Sequence, residues 1–281
     1  MIIIWLAMHK YLKHEPPKFL IMKRLFPEAK VVLQQIYDYS EDPETIMQYI
    51  SITSHRNTMN LSTVKLYTSP TYRRSTYILT IMAIMHGVSG YGLIYVYEKL
   101  LLREYISKFD QNTDQQFSYT EVLWLISLIA FFSAIGAVTF INLTRRRNLL
   151  LIGLVLSSVV MFLVSLSVYY ESYLTAVYLF MLYMVIFYLL ISTTIWVYIT
   201  ETSTDCALGL STFIMYIGLL IITVFSRLLA KIQPIFFIAL GVLGLSDFAF
   251  VYFVVLDTKN LNDREKKLLY ASINYKPRTY T

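Results

Sequence analysis

The stretch from Phe117 to Leu256 consists of five long apolar segments in a row, separated by short polar interruptions, and a sixth precedes them. The six are Thr76–Tyr97, Val122–Leu143, Asn148–Tyr170, Tyr173–Thr200, Ala207–Ser226 and Pro234–Leu256. Each can cross a hydrocarbon layer about 30 Å thick, since a helix rises about 1.5 Å per residue. Asp247 is their only Asp, Glu, Lys or Arg, so the sequence predicts a polytopic α-helical membrane protein.

The lysines and arginines divide unevenly between the two sides of this predicted bundle. Nineteen of the 24 fall before the first span, in the Arg145–Arg147 loop or in the C-terminal tail, which the order of spans places on one side. The positive-inside rule therefore predicts that both terminal segments lie on the cytoplasmic or matrix side. Because the net charge of +6 follows this topology, we expect the partner to be a lipid bilayer and not nucleic acid.

Composition and motifs exclude several other classes of protein and of functional site. With 57% hydrophobic and 15% charged residues, the chain is too apolar for one soluble core. Its single cysteine, Cys206, forms neither an intrachain disulfide nor a thiolate metal cluster. The sequence contains no Gly-rich phosphate loop after a strand, no His/Cys metal spacing and no Gly-x-Ser-x-Gly elbow. We expect no catalytic residue, no metal site and no cofactor.

The region before the bundle predicts short amphipathic helices at the membrane surface. Helix starts are indicated at Pro16-Pro17, at Pro27-Glu28-Ala29-Lys30 and at Glu41-Asp42-Pro43-Glu44. Val31, Val32 and Ile36 stand at helical spacing in the second of these. The Ser-, Thr- and Asn-rich stretch His55–Pro70 predicts a loop.

These features predict four regions. Residues 1–12 are apolar but too short to span a membrane, and we expect them to be the remnant of a preceding span. Residues 13–74 are the surface helices and loop, residues 75–256 a six-helix transmembrane bundle, and residues 257–281 a polar tail. The predicted fold class is therefore an all-α membrane protein.

Four motifs occur in an order that is familiar from one transporter family. They are Glu15-Pro16-Pro17-Lys18-Phe19-Leu20 with Pro27-Glu28-Ala29, Ser89-Gly90-Tyr91-Gly92-Leu93 with Glu98, Trp196-Val197-Tyr198-Ile199-Thr200-Glu201 with Ala207-Leu208-Gly209-Leu210, and Leu256-Asp257-Thr258-Lys259-Asn260. They resemble motifs of the major facilitator superfamily, in its sugar-porter, organic-ion and synaptic-vesicle-protein-related branches. The resemblance implies a C-terminal half, namely the end of span six, the intracellular helices and spans seven to twelve.

The resemblance also implies a site between two six-helix halves that rock against each other. We expect this chain to provide one half only. It departs from the family where Asn142-Leu143-Thr144-Arg145-Arg146 replaces an Asp-Arg-x-Gly-Arg loop, and where Thr200 and Cys206 stand near a lost proline and arginine. His86, Gly87 and Gly92 occupy positions where sugar porters carry sugar-binding amides. These departures predict that the charge relay and the sugar-binding groups are both depleted.

Asp247 and His86 are the candidate ionisable groups inside the bundle. Asp247 lies ten residues before Asp257, which is roughly 15 Å along a helix and near the bilayer midplane. An ionisable group there predicts a proton site or a counter-ion for a cationic substrate. The alternative is a carboxyl group that hydrogen-bonds a neighbouring helix or subunit. His86 is either a proton carrier or a buried histidine that donates to a backbone carbonyl.

Tyr91, Tyr95, Tyr183 and Trp196 are further candidates for lining a substrate cavity. Tyrosines near span ends are also typical of the aromatic belt at the membrane interface, so both interpretations stand. The Arg145–Arg147 triplet is a candidate for binding anionic lipids such as cardiolipin, and simple topological anchoring is the alternative.

Three functional expectations follow. The favoured one is a non-catalytic, membrane-embedded structural subunit of a larger assembly with other membrane subunits, for which a mitochondrial inner-membrane complex is a suitable setting. The second is a working carrier of a sugar, carboxylate or organic ion, in which a second half or a second copy rebuilds the cavity. The third is that the sequence is part of an ordinary twelve-span carrier.

Overall fold

The computed structural model describes residues 15–36, 44–48, 63–70, 72–88, 94, 101–112, 119–259, 261, 265–266 and 269–270. The chain divides into two compact units, Met1–Ser62 and Thr63–Thr281. Every regular element among the described residues is a helix. The prediction of an all-α membrane fold is confirmed.

The first unit contains helix α1 (Pro17–Met22) and helix α2 (Phe26–Ile36). α1 begins with a proline in its first turn, as predicted. Leu20, Ile21, Ala29 and Val32 form a small core. The prediction that Val31 shares this apolar face is wrong, because Val31 is 51% exposed, while the buried side chains of α2 follow helical i, i+3, i+4 spacing from Ala29.

Residues 44–48 are helical, and Met47 packs against that small core. The predicted helix start at Glu41–Pro43 and the predicted remnant span in residues 1–12 lie outside the described residues. The location of these helices at the membrane surface stays a prediction.

The second unit contains nine α-helices in its described residues, and the last six of them make up five stretches that are long and apolar enough to span a membrane. The nine are α3 (Thr63–Thr68), α4 (Arg73–Met85), α5 (Leu102–Asn112), α6 (Tyr119–Leu143), α7 (Arg146–Tyr169), α8 (Tyr173–Ile186), α9 (Thr193–Thr202), α10 (Asp205–Lys231) and α11 (Gln233–Val254). A π-helical segment, Phe187–Ser192, joins α8 to α9.

Among the described residues, five helical stretches are long and apolar enough to cross a membrane. They are α6, α7, the continuous stretch Tyr173–Thr202, Cys206–Phe225 within α10, and α11. Each matches one of the five consecutive predicted spans. The remaining predicted span, Thr76–Tyr97, begins inside α4, and most of its residues after 88 lie outside the described residues.

One predicted loop is in part a helix. The prediction for His55–Pro70 is wrong over α3, where Leu66 is fully buried. The Tyr67 hydroxyl is 2.9 Å from Thr80 Oγ1, and the Tyr67 ring centroid is 5.1 Å from that of Tyr77. Packing against α4 therefore outweighs the polar composition that favoured a loop, as tertiary contacts often do.

α7 is the most buried of the spanning helices and packs along α11. Small residues permit this close approach: a Cβ added to Gly244 would clash with the Ser158 hydroxyl, and one added to Gly241 would lie 2.7 Å from Phe162 Cε1. Ser165 Oγ also donates to the Pro234 carbonyl at 2.8 Å. In hydrocarbon, where apolar burial gives little advantage, such close packing and hydrogen bonding hold helices together.

α7 and α8 form the predicted tight hairpin. Three residues, Tyr170 to Ser172, connect them, and Glu171 has a positive φ of 56°. Ser172 N donates to the Ser167 carbonyl at 2.9 Å, which closes the end of α7.

Gly87 makes a second close helix contact and generates a test of the packing. A Cβ on Gly87 would lie 2.5 Å from the Met215 carbonyl oxygen, which is backbone of α10 and cannot move alone. We expect Gly87→Ala to lower the free energy of unfolding by about 1–3 kcal/mol. Thermal unfolding of the purified protein in mild detergent measures this change.

The matched control is Gly209→Ala, because a Cβ at Gly209 meets nothing within 4 Å. This variant should leave the unfolding temperature unchanged or raise it slightly, since alanine favours a helix. Equal effects of the two substitutions would contradict the close approach of α4 and α10.

Candidate functional site

A cavity inside the second unit brings together polar side chains from four helices. We call it the inner cavity. His86 lines it after α4, Ser157 and Ser158 line it from α7, Tyr183 from α8 and Asp247 from α11. Apolar side chains complete the wall. The cavity volume is about 20 Å³, which is room for about one water molecule.

Asp247 and His86, predicted separately from the sequence, therefore meet at one cavity. His86 is 1% exposed. Its ring stacks on Phe187 at 5.6 Å between centroids and meets Trp196 edge-on at 5.9 Å. Trp196 therefore contacts His86, and its predicted role in lining a substrate cavity stays a prediction.

Ser157 and Ser158 are cavity residues that the sequence interpretation missed, whereas Tyr183 was among the tyrosines proposed to line a cavity. Tyr183 lines the same cavity as Asp247, and its ring stacks on that of Phe187 at 6.0 Å between centroids. The only sequence signal for the serines was a polar pair in the middle of an apolar span. Both serine hydroxyls donate to the Leu154 carbonyl, so they satisfy hydrogen bonds within α7 while lining the cavity.

Two predicted cavity residues, Tyr91 and Tyr95, lie outside the described residues. Their roles stay predictions.

A group of charged side chains forms at the end of the bundle where α7 begins and α9 ends. We call it the Glu201 cluster: Arg146, Glu201, Thr258 and Lys266. Glu201 Oε1 accepts from Arg146 Nη2 at 2.6 Å and from Lys266 Nζ at 2.9 Å, while Oε2 accepts from Thr258 Oγ1 at 2.9 Å. The three charged side chains are only 13–18% exposed, so solvent screens their attraction poorly.

The prediction of a depleted charge relay is corrected here. The aspartate and glycine of the family loop are absent from Asn142–Arg146, yet Arg146 pairs with Glu201. Lys266, from the tail, adds a second cation that the motif comparison did not consider. Three separated motifs thus converge on one carboxylate.

The rest of the arginine triplet contacts its own bundle. Arg147 Nη2 donates to the Tyr252 carbonyl at 2.6 Å, and the Arg147 guanidinium lies 5.7 Å from the Tyr252 ring centroid. The Arg145 side chain is 73% exposed, and its Nε lies 3.9 Å from Asp257 Oδ2. Arg145 is therefore the member of the triplet most accessible to a lipid headgroup, and lipid binding by the triplet stays a prediction.

The segment after α11 is hydrogen-bonded to α6 and to α9. Lys259 Nζ donates to the carbonyls of Asn142 and Leu143, at 3.3 and 2.8 Å, where α6 ends and a cation is favourable. The Tyr198 hydroxyl donates to the Leu256 carbonyl at 3.0 Å and also hydrogen-bonds the Tyr270 hydroxyl. Burial raises the pKa of Tyr270, which keeps the phenol neutral.

The opposite end carries a smaller polar group around Glu104. Glu104 pairs with Lys108 at 2.6 Å and accepts from Gln233 Nε2 at 2.9 Å, which links α5 to α11. The hydrogen bond that Lys108 donates to the Glu104 carboxylate raises the pKa of Lys108. A second cavity, of about 70 Å³, lies nearby between α5, α6 and α8 and is lined mainly by apolar atoms.

A family model described as "Sugar (and other) transporter" matches residues 2–266. The chain belongs to the sugar (and other) transporter family. This confirms the resemblance to the major facilitator superfamily that the four motifs indicated. No curated protein matches the chain significantly.

Among solved structures, the chain is similar to the major facilitator superfamily proton:xylose symporter XylE, solved with 6-bromo-6-deoxy-D-glucose bound. The TM-score is 0.74 and the sequence identity 16%. The match covers 95% of this chain and 56% of XylE, so the chain spans little more than half the length of that symporter. At this identity the likeness establishes the fold alone.

The Glu201 cluster generates the second prediction. Glu201→Gln leaves Arg146 and Lys266 largely buried without their carboxylate, so we expect the free energy of unfolding to fall by about 2–4 kcal/mol. Thermal unfolding in detergent measures the loss. Glu44→Gln is the control, because its pair with Lys30 is exposed and is expected to contribute less than about 1 kcal/mol. A Glu201→Gln variant as stable as the control would contradict the cluster.

Proposed function

We propose that this chain takes part in solute transport across a membrane, as one six-helix body of a major-facilitator-type carrier. The observation that supports this best is the inner cavity, where Asp247 and His86 face one small space inside the bundle. Hydrocarbon makes ionisable groups costly, so they are kept inside a membrane protein chiefly where they serve its function. Membership of the family supports the same conclusion.

The solute itself is too large for the inner cavity, whose 20 Å³ admits about one water molecule. We therefore place the solute on the outer surface of the bundle, on the side that a second body would cover. Asp247 and His86 then act on the solute from inside the bundle, without contacting it. Carriers of this type bind their solute between two bodies that rock against each other. The opposite wall comes from a longer form of this chain, a second copy or a separate subunit, and the solute classes are a sugar, a carboxylate or an organic ion.

The Glu201 cluster supports this mechanism physically. Rocking between two bodies requires that the helices of one body move together. The cluster joins the ends of α7 and α9 to the tail, and Lys259 joins the tail to the end of α6. One body would therefore move as a unit.

A second candidate is a non-catalytic structural subunit of a larger membrane assembly, with a complex of the mitochondrial inner membrane as a suitable setting. The observation that favours it is the packing of aromatic rings around His86, since Phe187 and Trp196 both contact the imidazole. His86 also occupies a position where sugar porters carry an amide. In this case Arg145 would contact anionic lipid such as cardiolipin, and the exposed apolar faces of α6 and α10 would contact other subunits.

Uptake by the native assembly, purified in mild detergent and reconstituted in liposomes, separates the two candidates. The probes are radiolabelled D-xylose, D-glucose, succinate and tetraethylammonium. We expect uptake of at least one, and a decrease of about tenfold or more in Asp247→Asn, because the amide cannot carry the carboxylate's charge. Glu121→Gln, at the exposed start of α6, is the matched control and should keep full uptake.

Absence of uptake of all four probes, together with migration in an assembly much heavier than the 32.8 kDa chain, would overturn transport and support the structural subunit. Uptake by a particle that contains one or two copies of the chain would support transport and overturn the structural subunit.

A further inference from the structure

Two π-helical segments meet at the inner cavity. Residues 86–88, which follow α4, are π-helical, and so is Phe187–Ser192. The stacked rings of His86 and Phe187 join the two segments at their first residues. π-helical turns are rare and often mark functional sites, because they interrupt the regular hydrogen-bond ladder.

The second segment shows how this interruption is accommodated. Thr193 Oγ1 donates to the Tyr188 carbonyl at 3.1 Å, so a side chain supplies a hydrogen bond next to the widened turn. Phe187 and Ile191 of this segment line the inner cavity. A change of charge in the cavity therefore acts directly on the least regular part of a spanning helix.

The titratable groups that face the cavity are few and come from three elements. The region after α4 contributes His86, α8 contributes Tyr183, and α11 contributes Asp247. α7 contributes the hydroxyls of Ser157 and Ser158. The wall contributions of the π-helical segment Phe187–Ser192 and of α9 are apolar, and the lining includes no lysine or arginine. Asp247 and His86 are thus the acid and the base of one enclosed site.

We propose that the inner cavity is a protonation site that holds one water molecule and one exchangeable proton between Asp247 and His86. On uptake, a proton from bulk water adds to the imidazole or to the carboxylate, and on release it returns to bulk water, with no other bond made or broken. The unprotonated site, a carboxylate and a neutral imidazole, and the site with one added proton differ by one unit of charge, and so differ in their attraction for the serine and tyrosine hydroxyls. The protonation state therefore sets how tightly the two π-helical segments are held together.

This inference deepens the proposed transport function, since it names the species bound at the same site. Its test needs no transported solute. Trp196 contacts His86 edge-on, and a protonated imidazole quenches indole fluorescence, so Trp196 reports the charge of His86. Phe substitutions at Trp5 and Trp124 remove the other two tryptophans of the chain.

The experiment is a pH titration of Trp196 fluorescence for the full chain in lipid nanodiscs, from about pH 8 down to about pH 3.5, a range that covers the titration of both imidazole and carboxyl groups. We expect one sigmoidal decrease on acidification. His86→Gln should abolish it, and Asp247→Asn should move its midpoint by about one pH unit or more, because an adjacent charge is lost. A titration without a step, or one that Asp247→Asn leaves unchanged, would overturn the proposal.

The water-sized space is tested by filling it. Gly244 lines the cavity, and Gly244→Ala adds a methyl group against the Ser158 hydroxyl, so we expect it to move or abolish the step. Gly209→Ala adds a methyl group that meets nothing within 4 Å and should leave the step intact. Circular dichroism identifies variants that do not fold, and in that case the Asp247→Asn titration decides.

The two proposals fail separately. A fluorescence step without uptake of any probe, in an assembly much heavier than the chain, supports the protonation site and overturns transport. Uptake without a step supports transport and overturns the protonation site.

Discussion

The poor solvation of charge by hydrocarbon determines where polar groups lie in this molecule. Outside water, an ionised side chain must either reach the membrane boundary or find partners inside the protein. The charged residues of the second unit accordingly collect at the two ends of the bundle, around Glu201 and around Glu104. Asp247 lies within a span, beside a cavity that offers it an imidazole, a phenol and two hydroxyls.

The spans were predictable because the exclusion of charge from hydrocarbon requires long runs of apolar residues, which are visible in the sequence. All five consecutive spans lie where the apolar segments predicted, and the hairpin at Glu171 follows from the short interruption between two of them. The boundaries differ by a few residues, since a helix continues through polar residues at the interface, as α10 does from Ser226 to Lys231.

Other features could not be read from local sequence because they depend on contacts between distant residues. α3 forms in a polar stretch because Leu66 is buried. The π-helical segment Phe187–Ser192 has no compositional signal. In the candidate site, Asp247, His86 and Tyr183 were proposed from their residue type and position in the spans, whereas Ser157 and Ser158 emerged only when four helices were brought together. Lys266 was missed because its partner Glu201 is 65 positions away in the chain.

The connection between α7 and α8 has a consequence for biogenesis. With three residues between two spans, and one of them in a left-handed backbone conformation, neither helix can enter the bilayer while the other stays in water. The insertion machinery must therefore release both helices into the lipid as a pair. Lengthening this turn would uncouple the insertion of the two helices. The apolar helix that had not yet entered the bilayer would then be exposed to chaperones and proteases.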